Sequence, residues 1–375
     1  MNRSWMLAAL ALCCLAPVAI LGTPFPIPVA RAADWSLFRG NPLQTGISKD
    51  SLPDKLDTLW TFETKEPVEA TAAIVKGVVY VASVDENLYA IDLETGKEKW
   101  KYHGGSFKAA PSVHGDAVYV GDMDGTFHCV DAATGKKRWT FATDGEIQSG
   151  ANFAGDTVLF GSYDENLYCL SIKEGKEVWK FKINGPINGA PAVVDGKTFV
   201  AGCDSMLHIL EVEKGKELRS VNLDSQVGAT AAVVGDLLYV GTMGNEMLAI
   251  NWKKGEVLWR FESPKHQAFY SSTAVTDDLV IAGCRDRRIW AIDRKTGKDA
   301  WSFLTNNRVD ASPVVVGERI YAPSLDGKMY VLDMKGNLAT KYDLGSAATA
   351  SPAVSGKRLV IGTDKGVVHC FGEKK

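Results

Sequence analysis

The chain has 375 residues, a net charge of −3 and 46% hydrophobic residues, with no cluster of basic side chains. That balance excludes the electrostatic footprint of a nucleic-acid-binding protein, so nucleic acid is not expected as a partner. Of seven cysteines, five lie beyond residue 32, none of them adjacent, and this odd count excludes a disulfide framework.

Residues 1–32 read as an export segment. Arg3 precedes an apolar run from Trp5 to Leu21, and Ala30-Arg31-Ala32 has the small-x-small pattern of a signal-peptidase site, placing the mature start at Ala33 or Asp34. The alternative is an uncleaved anchor, because the apolar run nearly reaches bilayer-spanning length. In both cases the remainder is exported, either periplasmic or facing the periplasm with membrane association through the N-terminus. Cys13 and Cys14 follow Leu12 and Cys13, residues too large for a good lipoprotein cleavage site. Residues 33–58 are polar, with Gly and Pro, and predict an extended arm over which Trp35 and Phe38 bury against a blade or cover one face. Pro42 and Pro53 bar a helix interior there.

A strand, Leu59-Trp60-Thr61-Phe62, comes next, and then a repeat takes over residues 59–375. Seven turn glycines, Gly96, Gly135, Gly175, Gly215, Gly255, Gly297 and Gly336, are spaced 39, 40, 40, 40, 42 and 39 apart. One unit reads as four short strands, Ala109 to Val113, Val118 to Gly121, Thr126 to Asp131 and Arg138 to Phe141, each bounded by turn residues. A period of about 40 residues without helical periodicity predicts a propeller blade. A solenoid would need distinctive caps. Eight inner strands begin near Val68, Phe107, Ile147, Ile187, Val227, Tyr270, Val309 and Ala347, and the last unit lacks the outer strand that Trp60 begins the chain with. The fold class is therefore all-β, an eight-bladed β-propeller of four-stranded antiparallel blades whose last blade is completed by an N-terminal strand.

Three columns run through the repeat. Trp60, Trp100, Trp139, Trp179, Trp259 and Trp301 stand in outer strands between polar residues, so the indoles point inward and dock on the adjacent blade; Arg219 and Thr340 replace them in blades four and seven, which marks those blades as weaker. Tyr89, His128, Tyr168, His208, Leu248, Trp290, Tyr330 and His369 form a third-strand column of flat rings wedged between sheets, and a three-histidine metal site is disfavoured because its members sit in different blades. Asp85, Asp124, Asp164, Asp286 and Asp326 share a turn position, with Gly244 and Lys365 replacing it and Asp204 in a turn taken as one residue shorter. They are expected to accept backbone N–H bonds in their own turns.

The inter-blade connections share a face with these turns, and that face is the default binding surface. Most connections are short. Pro264 to Tyr270 is longer and brings Lys265, His266, Phe269 and Tyr270 beside Arg285, Arg287 and Arg288 of the same blade and Arg308 and Asp310 of the next. Aromatics with arginines suit a protein-binding hot spot or an anionic-ligand pocket. No Ser-His-Asp arrangement can be argued, so no catalytic residue is assigned and no metal ligand is named.

On these motifs, and on AIDLETGKEKW at 90–100, AIDRKTGKDAW at 291–301 and VDAATGKKRW at 130–139, the chain resembles the quinoprotein-type propeller repeat family from Trp60 onward. One branch of that family holds pyrroloquinoline quinone and calcium over the ring centre and oxidises alcohols or sugars. Its alcohol-oxidising members carry adjacent cysteines and long insertions, which this chain lacks beyond residue 32. The other branch resembles the propeller lipoprotein of the outer-membrane β-barrel assembly machinery, a non-enzymatic scaffold of similar length. The resemblance implies, first, an envelope binding or assembly scaffold without cofactor whose partner is an envelope protein, and, as the alternative, a minimal quinone-dependent oxidoreductase using quinone and calcium.

Overall fold

The computed structural model describes residues 33–374, so the export segment and its two cysteines lie outside the described residues. Eight antiparallel sheets follow one another along the chain. Blade two is typical, with strands Ser112–His114, Ala117–Gly121, Thr126–Asp131 and Lys137–Ala142. Its middle strands are apolar on both faces and buried, because each blade is sandwiched between two neighbours; its outer strand alternates exposed and half-buried positions. The ring closes as the spacing predicts. Asp57–Glu63 pairs antiparallel with Val367–Gly372, Trp60 opposite Cys370, and supplies the outer strand of blade eight.

Six indoles join neighbouring blades in one recurring way. The Nε1 of Trp60, Trp100, Trp139, Trp179, Trp259 and Trp301 donates to the carbonyls of Leu93, Ala132, Ile172, Val212, Arg294 and Met334, at 2.7–3.1 Å. Each ring lies flat on the turn glycine of the next blade, so close that a Cβ at Gly215 would sit 2.4 Å from Trp179. Those glycines also have positive φ, 64° at Gly215, so glycine is required there twice over. The two exceptions have local reasons. The Cδ and guanidinium of Arg219 cover Gly255 where an indole would lie, and Trp252 of blade five packs back against Phe199 of blade four at 5.1 Å, its Nε1 donating to Gly235 O. Thr340 faces blade eight, where no hairpin joins the third and outer strands; the arm passes there instead, Leu56 N donating to the Tyr342 hydroxyl.

Third-strand rings and turn aspartates form a second recurring device. Asp85, Asp164 and Asp326 each accept a backbone N–H two residues on and the hydroxyl of Tyr89, Tyr168 or Tyr330 four residues on, at 2.6–2.7 Å. Asp204 does the same with His208, and Asp286 with the Trp290 indole, so the turn at Asp204 has ordinary length. The column is aromatic because it needs a flat body between sheets and a polar tip for the carboxylate. Blade two differs from expectation: Asp122, not Asp124, accepts from Asp124 N, Thr126 N and His128 Nε2. Where Gly244 removes the acceptor, Leu248 removes the donor.

Residues 35–50 thread along the ring's inner strands rather than covering a face. Trp35 pairs with Ile74, and the carbonyls of Ser36, Pro42, Leu43, Thr45 and Gly46 accept from Val113, Val193, Val233, Val275 and Val315. Each bond satisfies an inner-strand N–H that would otherwise be an open edge facing the axis. Ile47–Ser48 then adds a parallel strand to blade seven. Arg39 is fully buried with no carboxylate, donating to Thr273 O at 3.2 Å, Ser312 O at 3.4 Å and Pro313 O; burial pushes its pKa down to about 9.

Candidate functional site

The axis is narrow. From blade four round to blade one, hydroxyls link consecutive blades: Ala190 N donates to Thr230 Oγ1, Thr230 N to Ser272 Oγ, Ser272 N to Ser312 Oγ, Ser312 N to Ser351 Oγ and Ser351 N to Thr71 Oγ1, at 2.8–3.3 Å. On the other side the same positions are Ala110, Gly150 and Ala190, and there the Phe38 ring of the arm seats, its Cβ 3.3 Å from where a Gly150 Cβ would lie. Above Phe38 a pocket of about 160 Å³ opens on the inter-blade face. Glu69, Lys108, Gln148, Asn188, Tyr270 and Asp310 rim it.

Two of the sequence-predicted face residues sit elsewhere than expected or do other work. Phe269 is 0% exposed and belongs to the core, not the face. The reason is a slip of one residue: Phe269, not Tyr270, occupies the inner column of Val68, Ile147, Ile187 and Val309, pressing on Gly241 as those press on Gly362, Gly121, Gly161 and Gly283. Its amide donates to Thr242 O just as Ile147 N donates to Asp122 O. Arg288 is half-buried, bonded to Ser302 Oγ at 2.9 Å and lying over the Trp290 ring.

The remaining residues meet on the face. Asp310 holds Arg285 through two bonds, Nε to Oδ1 and Nη2 to Oδ2, both 3.0 Å, and Arg308 Nε lies 3.3 Å from Oδ2. Asp310 raises the Arg285 pKa and fixes its charge, and the guanidinium stacks 4.1 Å over Tyr270. Outside this stack, a groove of about 410 Å³ is walled by Lys265, Arg285, Arg287 and Arg308 over the buried Asp286. Asp286 is already engaged by Arg288 N and the Trp290 indole. Arg287 is held at φ 70°, a left-handed turn position filled by Glu86, Glu165, Ser205, Asn245 or glycine in other blades. His266 turns away from the groove to Glu262, 2.8 Å, and Asn245, 3.1 Å.

The axial pocket is a poor match for the quinone of the resembling enzymes. The cation that lines it, Lys108, is committed to Glu69 at 3.2 Å, the lining Asp310 is itself a carboxylate already clamped to Arg285, and Phe38 lines the bottom, so a planar tricarboxylate would have to break the Lys108 pair to be held. Among the described residues no three His, Cys, Asp or Glu side chains converge as metal ligands would. His128 is tied to Asp122 and Tyr102, His208 to Asp204 and Glu217, and His369 to Leu344 O. Cys284 is buried, and burial pushes its thiol up to about 12.

Comparison with solved structures gives the same fold three times. BamB from Moraxella catarrhalis matches at TM-score 0.75 and 20% identity over 85% of this chain and 98% of that one. Quinohemoprotein alcohol dehydrogenase from Comamonas testosteroni matches at 0.81 and 14% identity, over 92% and 82%. The computationally designed Ika8 protein matches at 0.75 and 18% identity, over 84% and 99%. At such identities the likeness is one of fold. No curated protein matches the chain significantly. The family model described as outer membrane protein assembly factor BamB matches residues 54–150, 123–218 and 204–373, together nearly the whole described ring, and the chain belongs to that family.

Proposed function

We propose that the chain is an exported, non-enzymatic binding or assembly scaffold of the cell envelope that engages a protein partner through its inter-blade face. Residues 1–32 direct export, and the ring faces the periplasm, freed by cleavage or held at the membrane by that segment. The observation that carries the reading is the groove over blades six and seven, where Lys265, Arg287 and Arg308 stand exposed and, among the described residues, neither Lys265 nor Arg287 meets a carboxylate. Exposed arginine beside a fixed Arg285–Tyr270 stack is the composition of an interface anchor. The family description, an assembly factor of outer membrane proteins, supports the same reading.

The test is a photo-crosslinking amino acid placed at Gln267 or Asn307, both on the groove wall. In envelopes it should capture one discrete protein, and capture should fail with the crosslinker on the far-face turn at Lys136. The oxidoreductase reading has its own check. Adding pyrroloquinoline quinone and calcium should produce neither stoichiometric quinone uptake nor dye-linked oxidation of alcohols or sugars, and turnover would overturn the scaffold.

A further inference from the structure

The groove's own chemistry narrows its partner, on the reading that this face is where the partner docks. Lys265, Arg287 and Arg308 are exposed, and among the described residues neither Lys265 nor Arg287 has a carboxylate within salt-bridge reach. The acids nearby are spent: Asp286 is buried on its turn, Asp310 clamps Arg285, and Glu262 faces His266. On a chain of net charge −3, Lys265 and Arg287 leave a local positive field, and Asp310, shared with Arg285, answers only Arg308. Blades one and three have Glu86 and Glu165 where blade six has Arg287, so the sign is reversed only in this quadrant. Beside the groove Leu304, paired across the sheet from Arg288, is 51% exposed.

We infer that the groove between the connections into blades six and seven binds an acidic polypeptide segment bearing apolar side chains, its carboxylates on Lys265, Arg287 and Arg308 and an apolar residue on Leu304. A planar guanidinium and a carboxylate pair through two parallel bonds, which gives an extended acidic chain a register along the groove. A lipid headgroup offers the same charge, but one leucine is too little apolar surface to seat acyl chains.

The experiment uses residues 33–375 and a short fluorescein-labelled peptide of alternating glutamate and leucine, followed by anisotropy at low salt. Binding should weaken about tenfold or more in the triple variant Lys265→Glu, Arg287→Glu, Arg308→Glu, since three exposed pairs each contribute up to ~1 kcal/mol. The matched control, Lys97→Glu, Lys136→Glu, Lys214→Glu, changes net charge equally on the opposite hairpins and should leave binding intact, with both variants melting like the parent. No binding, equal loss in both triples, or tighter binding to phosphatidylglycerol vesicles than to the peptide would overturn the inference. If the peptide fails while crosslinking at Gln267 still captures an envelope protein, the docking face stands and only its acidic partner falls. If crosslinking fails as well, both go.

Discussion

The joint between blades three and four and the joint between blades four and five each bury an indole, but from opposite sides. At the first, Trp179 of blade three reaches forward onto Gly215 and the Val212 carbonyl. At the second, Arg219 lies on the glycine and Trp252 of blade five reaches back onto Phe199. Trp252 stands where other blades have Leu93, Ala132, Ile172 or Val212, the residue whose carbonyl takes the indole. What the joint requires is thus a large flat ring in the seam, and either blade can supply it.

The sharpest way to break this comparison is to delete each ring. Trp179→Ala and Trp252→Ala should each cost ~3 to 5 kcal/mol in urea denaturation, as expected for buried aromatic truncation. A loss under about 1 kcal/mol at Trp252 would show that blade four is simply weak there. The turn glycines sharpen the contrast. Gly215→Ala and Gly255→Ala share a positive-φ penalty of ~1 to 2 kcal/mol. Only at Gly215 is the overlying group a packed ring, so overpacking should add ~1 to 3 kcal/mol there, whereas the Arg219 side chain can swing aside. Arg219→Ala comes next, at roughly 1 kcal/mol from the cover its Cδ and guanidinium give Gly255.

The smallest effect concerns pH. Burial raises the Asp164 carboxyl, but hydrogen bonds from Tyr168, Asn166 and Asp144 N outweigh it and hold it below its ordinary 3.8. A folded-state pKa below the unfolded one stabilises above that ordinary value, and the gain is lost as pH falls through the folded value. Asp164→Asn should therefore destabilise by about 1 kcal/mol at neutral pH, and the difference from the parent should shrink below pH 3.8. Blade five, with Gly244 and Leu248, has no such term to lose.

Much of the ring was legible because period and columns report geometry directly. Glycine spacing counted the blades, and the missing outer strand named its own replacement at Trp60. The failures fall where the period is locally broken or absent. The longer Pro264–Tyr270 connection offered two adjacent aromatics for one inner position, and side chains of neighbouring residues point opposite ways, so a slip of one put Phe269 on the wrong face. A signal existed: the position abuts a strand-two glycine, Gly241, as in four other blades. Asp122 was missed because it lies two residues before the column that Asp124 fits by offset. The path of residues 35–50 had no repeat to be compared with, and nothing in composition marks Arg39 as buried. Trp252 was visible in register with Leu93 and Ala132 but belonged to another column than the one that tryptophan had defined.

The seam at Asp57–Glu63 has a consequence for how the molecule is made. Its partner, Val367–Gly372, is synthesised some three hundred residues later, so the first of the four-strand blade elements to emerge has to wait, unpaired, for the last strand. Seven sheets can assemble locally as they appear, while the circle itself locks only at the end. Until then the waiting strand and its partner are both free edges. A chain stalled during export would thus be a horseshoe with two adhesive tips, prone to join its neighbours instead of itself.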